Sequence, residues 1–202
     1  MVIKSQSKKT LNIQPIITFK SQNKFTDWLA KYHNKSNGIW LKLAKKSSNI
    51  PSVSYFEAVD VALCYGWIDG IRKAFDDKYY LQKFTPRRPK SIWSKTNVDK
   101  VTRLITSGHM KPPGLLCINA AKIDGRWDKA YDGSKTMTVS PDFQKALNKN
   151  KKALAFFNTL TRAQKYSFLF RIHIAKKEET RIKRIKKFID MLQNNQHFHL
   201  TK

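Results

Sequence analysis

Residues 65–97 bring together side chains that bind anions and aromatic rings. Alternating residues over 71–75 and 79–85, joined by a turn at Asp76-Asp77, predict a β-hairpin that follows a Trp-Ile-Asp-Gly turn. This hairpin is expected to place Asp69 near Arg87 and Arg88, one carboxylate opposite two guanidiniums. Arginine binds carboxylate or phosphate through two parallel hydrogen bonds, and an aspartate beside it would hold one arginine in place. The pattern predicts anion recognition at this hairpin.

Further residues extend this hypothesis to a pocket for a small anionic or aromatic molecule. Three tryptophans would supply flat walls, and hydroxyl and amide groups would add hydrogen bonds. The predicted ligand-binding set is Trp67, Asp69, Arg87, Arg88, Ser91, Trp93, Ser94, Asn97, Arg126 and Trp127. The alternative is a structural corner, in which Asp69 caps or forms a salt bridge and the tryptophans fill a gap between two domains.

Catalytic signatures are weak. Ser91 or Ser94 with His109 and Asp69 has the residue types of a triad, but the spacing is no signature and no Gly-x-Ser-x-Gly motif is present. We therefore predict no catalytic residue, and whether the protein is an enzyme stays open. The five histidines form neither His-Glu-x-x-His nor a Cys/His cluster, so we predict no metal site. No glycine-rich phosphate loop is present, and we predict no cofactor.

A second binding surface is predicted on the last helix. From residue 143 onward the sequence has 15 Lys and Arg and three acidic residues. We expect the helix to turn its basic residues away from an apolar stripe, where they would follow a phosphate backbone. The predicted polyanion-binding residues are Arg181, Lys183, Arg184, Lys186 and Lys187. Two alternatives are that this face binds an anionic membrane surface or that it is simply solvated.

The composition indicates a folded, strongly basic protein. The 202 residues are 41% hydrophobic, and 40 Lys and Arg face 14 Asp and Glu, a net charge of +26. This excess favours polyanionic partners, although a lysine-rich solvated surface has the same composition. Cys64 and Cys117 form no Cys-x-x-Cys pair. We expect a cytoplasmic protein, because the sequence shows neither a signal peptide nor a transmembrane run.

The periodicity predicts an α+β fold, in which a small mixed sheet with packed helices precedes a C-terminal helical bundle. Residues 1–15 are expected to form a flexible basic leader. The α+β domain is expected over 16–125, with strands at 16–19 and 39–44, helices at 22–33 and 54–65, the hairpin, and helices capped by Asn97 and begun by Pro112-Pro113. Residues 124–140 form a connector.

The helical domain is expected over 140–195. Ser140-Pro141-Asp142 begins its first helix, Asn150 caps the second, and Thr161 with Gln164 forms a capping box for the third. The last helix, about 178–194, is expected to bury Ile182, Ile185, Ile189 and Leu192.

Several motifs in order resemble the YdeI/OmpD-associated (bacteriocin-protection) family. They are Ala-Leu-Cys-Tyr-Gly-Trp-Ile-Asp-Gly at 62–70, Phe-Thr-Pro-Arg-Arg at 84–88, Lys-Ser-Ile-Trp-Ser-Lys-Thr-Asn at 90–97, Gly-His-Met at 108–110, Ala-Lys-Ile-Asp-Gly-Arg-Trp at 121–127 and Thr-Arg-Ile-Lys-Arg-Ile at 180–185. The resemblance covers roughly residues 18–193. It implies a link to bacteriocin or antimicrobial-peptide resistance, and it names no reaction.

Two functional hypotheses follow. In the first, a non-enzymatic protein engages nucleic acid or another polyanion through its basic surface. In the second, a small-molecule binder or enzyme uses the Asp/Arg/Trp pocket for an anionic or aromatic ligand. The oligomeric state is not predicted.

Overall fold

The computed structural model describes residues 14–198. These residues form two compact units, which we call the sheet unit (14–91 and 103–120) and the helical unit (92–102 and 121–198). The predicted basic leader, apart from its last two residues, lies outside the described range. Within that range no helix is both long and apolar enough to cross a membrane.

The sheet unit is built on a mixed four-stranded sheet in the order β1-β2-β4-β3, which confirms the predicted α+β class. The β1 strand runs parallel to β2, and the other neighbours are antiparallel. The strands are β1 (Ile16–Ile17), β2 (Ile39–Ala44), β3 (Trp67–Ala74) and β4 (Tyr79–Pro86). A short 3-10 turn, Lys46–Ser48, follows β2.

Helices α1 (Gln22–Tyr32) and α2 (Tyr55–Cys64) start where side chains cap them. The Ser21 hydroxyl accepts a hydrogen bond from the Lys24 amide, and Ser54 forms the predicted capping box with Glu57. Phe25 and Leu29 of α1 are fully buried. The α2 helix is mostly apolar, so it packs inside the unit.

The strand β2 alternates strictly between a buried and a half-buried side. Ile39, Leu41 and Leu43 point into the core with Phe84 of β4, and all four are at most 1% exposed. The opposite side carries Trp40 and Lys42, because successive side chains of a strand point to opposite faces. One face of the sheet therefore belongs to the core and the other faces solvent.

The Trp-Ile-Asp-Gly segment was predicted as a turn, and this prediction is wrong. It forms the first half of β3, in which Trp67 pairs with Pro86 and Asp69 pairs with Phe84. The register shifts between Asp69 and Arg72. The buried Gln82 amide donates a hydrogen bond to the Gly70 carbonyl at 2.7 Å, which satisfies the backbone at this irregularity. The hairpin itself is confirmed.

The chain passes between the units within α3 (Lys95–Thr106) and α4 (Pro112–Ile123). Ser94 rather than Asn97 caps α3, since the Ser94 hydroxyl accepts a hydrogen bond from the Asn97 amide at 3.1 Å. The first turn of α4 packs closely on the end of α2. A Cβ on Gly114 would lie 2.4 Å from the Cys64 carbonyl oxygen, so this contact requires glycine.

The helical unit contains α5 (Pro141–Asn148), α6 (Lys151–Thr159), α7 (Arg162–His173) and α8 (Glu178–Gln193). The predicted Asn150 cap and the Thr161–Gln164 capping box are confirmed. The core is formed by Phe143, Leu147, Ala153, Phe157, Leu160, Phe168, Leu169, Ile172, Phe188 and Leu192. The predicted stripe of α8 is wrong at Ile182, which is 57% exposed, and the buried positions of this helix are Phe188 and Leu192.

Residues 92–102 and 121–125 were predicted within the α+β domain but pack in the helical unit. Trp93 is buried and lies 5.2 Å from the Trp127 ring. The two segments also pair through their backbones. The Tyr131 amide donates to the Trp93 carbonyl at 2.9 Å, and the Lys95 amide donates to the Tyr131 carbonyl at 2.8 Å. These long-range contacts assign residues 92–102 to the helical unit.

Arg181 joins three helices of the helical unit. Its guanidinium donates to both Asp142 carboxylate oxygens, at 2.5 and 2.8 Å, and to the Ile172 carbonyl at 3.2 Å. The first turn of α5, the end of α7 and α8 are thereby connected. The hydrogen bond from Arg181 lowers the pKa of Asp142 below its usual value.

We expect Asp142→Asn to destabilise the protein in a pH-dependent manner. The folded pKa of Asp142 is depressed, so the ionised carboxylate stabilises the fold above the unfolded value of 3.8, and this contribution is lost as the pH falls from there through the depressed folded pKa. At neutral pH the free energy of unfolding should fall by about 1 kcal/mol, because solvent screens this partly exposed pair. Urea unfolding across this pH range measures the difference, with the exposed Glu179→Gln as control. A difference that does not change with pH would contradict this explanation.

Candidate functional site

The predicted pocket residues fall into both units, five in each, and each half is described by itself. In the sheet unit, Trp67 is 1% exposed. Its indole nitrogen donates to the His33 carbonyl at 3.1 Å, and its ring lies edge-on to Trp28 at 5.8 Å. This tryptophan is a core residue with a satisfied polar group, which favours the structural interpretation at this position.

Asp69 has a partner that the sequence did not suggest. Its carboxylate accepts a hydrogen bond from the Tyr55 hydroxyl at 2.8 Å, at the start of α2. Burial, and then the Asp69 charge, raise the pKa of Tyr55 above its usual value, so the phenol stays protonated and donates. The pair connects α2 to β3.

The strand register places Phe84, and neither arginine, opposite Asp69. The Arg87 amide donates to the Gly66 carbonyl at 2.9 Å, so the backbone at Arg87 lies three positions beyond Asp69 along the strand pair. Arg88 is exposed and closes a turn with Ser91, whose hydroxyl accepts from the Arg88 amide at 3.1 Å. The register of the hairpin therefore does not place the Asp69 carboxylate opposite Arg87 and Arg88.

In the helical unit the predicted residues have structural contacts. Trp93 packs on Trp127, and Ser94 caps α3 through the Asn97 amide. Arg126 donates through Nε to both Asp124 oxygens, at 2.7 and 2.8 Å, which lowers the pKa of Asp124. In the sheet unit, His109, which has only the residue type of a triad member, has its Nδ1 2.8 Å from the Ser107 hydroxyl.

A cleft of about 760 Å³ opens in the helical unit beside Arg126. Its lining includes Ile92, Ile174 and Tyr131, whose ring packs on Phe170 at 4.9 Å. Its ionisable lining residues are Lys95, Asp124, Arg126, Asp128, Lys129, Asp132, His173 and Lys176. Lys95 bridges to Asp132 at 2.9 Å and lowers the pKa of that carboxyl. Small-molecule sites combine apolar surface with oriented polar groups, and this cleft contains both, with ionisable residues in the majority.

The predicted basic surface of α8 is smaller than the sequence indicated. Arg181 is bound to Asp142, and the Arg184 guanidinium donates to the Arg171 carbonyl of α7. Lys183, Lys186 and Lys187 are exposed. Two of the five predicted cations thus serve contacts between helices, and three lysines form the solvent-facing part.

The solvent-facing side of the sheet is a candidate interface that sequence reasoning missed. We call it the basic aromatic face and define it by Trp40, Lys42, Lys73, Phe75, Tyr79 and Lys83. The Lys42 ammonium lies 4.1 Å from the Tyr79 ring centroid and 4.4 Å from that of Phe75. The Lys73 and Lys83 ammoniums lie 4.7 and 5.6 Å from the Trp40 centroid. The signal that could have revealed this face is the alternation of Trp40 and Lys42 with apolar residues in β2.

A shallow depression of about 760 Å³ continues this face toward β1. It is lined by Trp40, Lys73, Leu81 and Lys83, together with Ile16, which is 51% exposed. Among the described residues that line the depression, none is acidic. The face therefore combines positive charge with aromatic surface.

Possible metal ligands form no larger group within residues 14–198, and of the two cysteines in this range Cys64 is buried. No group of three or more His, Cys, Asp or Glu side chains is arranged there to hold a metal ion, and His199 lies outside that range. Burial raises the pKa of the Cys64 thiol to about 11, so this cysteine stays protonated at neutral pH.

Two family models match different parts of the chain, and the last boundary between the sheet unit and the helical unit lies in the gap between the two matches. Residues 17–117 match the family model described as Domain of unknown function (DUF8412), which covers half of the chain. The chain belongs to this family. The basic aromatic face lies wholly within the matched residues. Most of the motifs that suggested the resemblance lie there as well.

A second family model matches residues 136–195 and is described as Bacteriocin-protection, YdeI or OmpD-Associated. The predicted resemblance is confirmed for this segment, which includes most of the helical unit. Comparison with curated proteins and with solved structures gave no match.

We expect the Tyr55–Asp69 pair to stabilise the sheet unit. A double-mutant cycle of Tyr55→Phe and Asp69→Ala should give a coupling energy of about 1–2 kcal/mol, because the hydrogen bond joins a phenol to a partly buried carboxylate and each substitution removes it. Thermal or urea unfolding measures it, and Tyr32→Phe on the exposed side of α1 is the control. Additive effects of the two substitutions would mean that the contact contributes nothing to stability.

Proposed function

We propose that this protein binds nucleic acid through the basic aromatic face of the sheet unit. The observation that carries the proposal is the placement of three lysine ammoniums, on Lys42, Lys73 and Lys83, among partly exposed rings on the solvent side of the sheet. Lysines in such a position neutralise phosphates and release the counterions that surround them. No catalytic group is needed for this function.

The charge of the whole chain supports a polyanionic partner. A net charge of +26 attracts nucleic acid at long range, and a local cluster then determines where the phosphates lie. The lining of the depression beside Trp40 has two lysines and no carboxylate among its described residues. The described lining of the depression therefore adds no negative charge of its own, and the exposed Asp76 and Asp77 lie in the hairpin turn between Phe75 and Tyr79.

The exposed lysines of α8 are the competing surface. Lys183, Lys186 and Lys187 provide the same formal charge as the three lysines of the sheet, but they lie on a helix without interleaved exposed rings. They therefore provide a matched control for charge alone. A cytoplasmic location is part of the proposal, since nucleic acid is found there. The link to bacteriocin or antimicrobial-peptide resistance is also proposed, and the family match at residues 136–195 supports it.

We expect neutralising the sheet lysines to weaken nucleic-acid binding. The variant Lys42→Gln/Lys73→Gln/Lys83→Gln should bind a labelled oligonucleotide at least about tenfold less tightly, and its log–log salt slope should fall by about two to three units. Fluorescence anisotropy at several salt concentrations measures both. The control Lys183→Gln/Lys186→Gln/Lys187→Gln should keep most of the affinity. If the control loses affinity while the sheet variant does not, the binding surface is α8 and this proposal is wrong.

The cleft of the helical unit supports a second candidate function, the binding of a small organic anion. Asp124 orients Arg126 along the wall, and Ile92, Ile174 and Tyr131 provide apolar surface for the body of a ligand. The four Lys and Arg side chains of the lining exceed its three acidic ones, so a single negative charge on the ligand would be favoured.

This candidate predicts selective binding of a carboxylate. Benzoate should bind more tightly than neutral benzamide, and Arg126→Gln should weaken benzoate binding by about tenfold, because a charge-assisted hydrogen bond is lost. NMR titration of the full chain measures this, with Lys149→Gln as a control outside the cleft lining. Equal binding of benzoate and benzamide would rule out anion recognition.

A further inference from the structure

We infer that the nucleic acid bound by the basic aromatic face is single-stranded, with unpaired bases stacked on Trp40, Tyr79 and Phe75. This inference rests on the proposed function and adds the class of ligand. Its basis is the arrangement of rings and ammoniums on the sheet, beyond the charge alone.

The rings are available from the solvent side. Phe75 directly follows β3 and is 46% exposed, whereas Trp40 of β2 and Tyr79 of β4 are strand residues and are half-buried. Rings held by a strand present a rigid platform, so little conformational entropy is lost when a base stacks on them. Each of the three rings has a lysine ammonium near its face at 4.1 to 4.7 Å.

These ammoniums can leave the aromatic rings and bind phosphates when a nucleic acid is present. Lysine side chains are flexible, and a cation over an exposed ring is held only weakly. A base that stacks on the ring displaces the ammonium from the ring face. The ammonium then lies at the edge of the base and contacts the phosphate of that nucleotide. The same residue thus covers the ring in the free protein and contacts the backbone of the bound strand.

The spacing of these groups follows the strand direction. The register pairs Trp40 with Lys83, Lys42 with Leu81, and Ala44 with Tyr79. At about 3.3 Å per residue, Trp40 and Tyr79 lie roughly 13 Å apart along the sheet, with Lys42 midway. A single strand, which alternates flat bases with charged phosphates, matches this sequence of ring, cation and ring.

A duplex does not match this face equally well. Its bases are stacked on one another, so it presents mainly phosphates to a flat surface, and the rings would gain little. A lipid headgroup layer or an anionic polysaccharide also offers charge without flat unpaired rings. Aromatic rings also enter lipid interfaces and pack on sugars, so heparin and anionic vesicles are included in the test as competing ligands.

The test compares oligo(dT) of about 12 nucleotides with a duplex of equal length, with heparin and with anionic vesicles. The full chain and the variants Trp40→Leu, Phe75→Leu and Tyr79→Leu are titrated at about physiological salt. Leucine keeps an apolar side chain but removes the ring. Phe56→Leu is the control, because Phe56 is 71% exposed on α2 and outside the face. Circular dichroism confirms that each variant is folded.

We expect the chain to prefer oligo(dT) over the duplex by about tenfold or more, and each ring variant to lose several-fold to about tenfold in affinity for oligo(dT) with unchanged duplex binding. Phe56→Leu should bind as the parent does. The inference is wrong if the ring variants bind oligo(dT) like the parent, or if their affinities for oligo(dT) and for the duplex fall equally. In either case reduced binding by the lysine variant would still support the proposed function. Tighter binding of heparin or vesicles than of oligo(dT) also overturns it. If the lysine variant binds every ligand normally, the proposed function itself fails.

Discussion

The two-residue alternation of the central strands is the constraint on which the sheet unit depends. In β2 it places Ile39, Leu41 and Leu43 against Phe84 and the helices, where they are almost completely buried. The same alternation forces Trp40 and Lys42 to the other side, because a strand has no third direction for its side chains. A slip of one residue would exchange the two faces. The core and the basic aromatic face therefore come from one register.

The two proposed binding surfaces, one in each unit, differ in kind. The sheet unit presents rings and lysines on a flat, open surface, which suits an extended polyanion. The helical unit has a cleft whose charges are already paired in part, Asp124 with Arg126 and Asp132 with Lys95, which suits a small ligand. The family matches follow a similar division, with one model over residues 17–117 and another over 136–195.

Several residues that attracted attention by type have mainly structural contacts. Trp67 donates to the His33 carbonyl inside the core, and Asp69 accepts from Tyr55. Arg181 connects α5, α7 and α8, so its charge is used inside the unit. Polar and charged side chains are costly to bury without hydrogen-bond partners. A motif rich in such residues therefore indicates a hydrogen-bonded structural contact as readily as a binding site.

Local signals in the sequence determined most of the elements. The capping boxes at Ser54 and Thr161, the hairpin turn at Asp76-Asp77 and the alternation of β2 all act over a few residues, so they could be read without the fold. Tertiary structure alone decided the partners. The pairing of Asp69 with Phe84, the burial of Phe188 instead of Ile182 on α8, and the packing of residues 92–102 with Tyr131 depend on contacts between distant segments. The basic aromatic face was missed for the same reason, since Trp40, Lys73 and Tyr79 come together only when three strands pair.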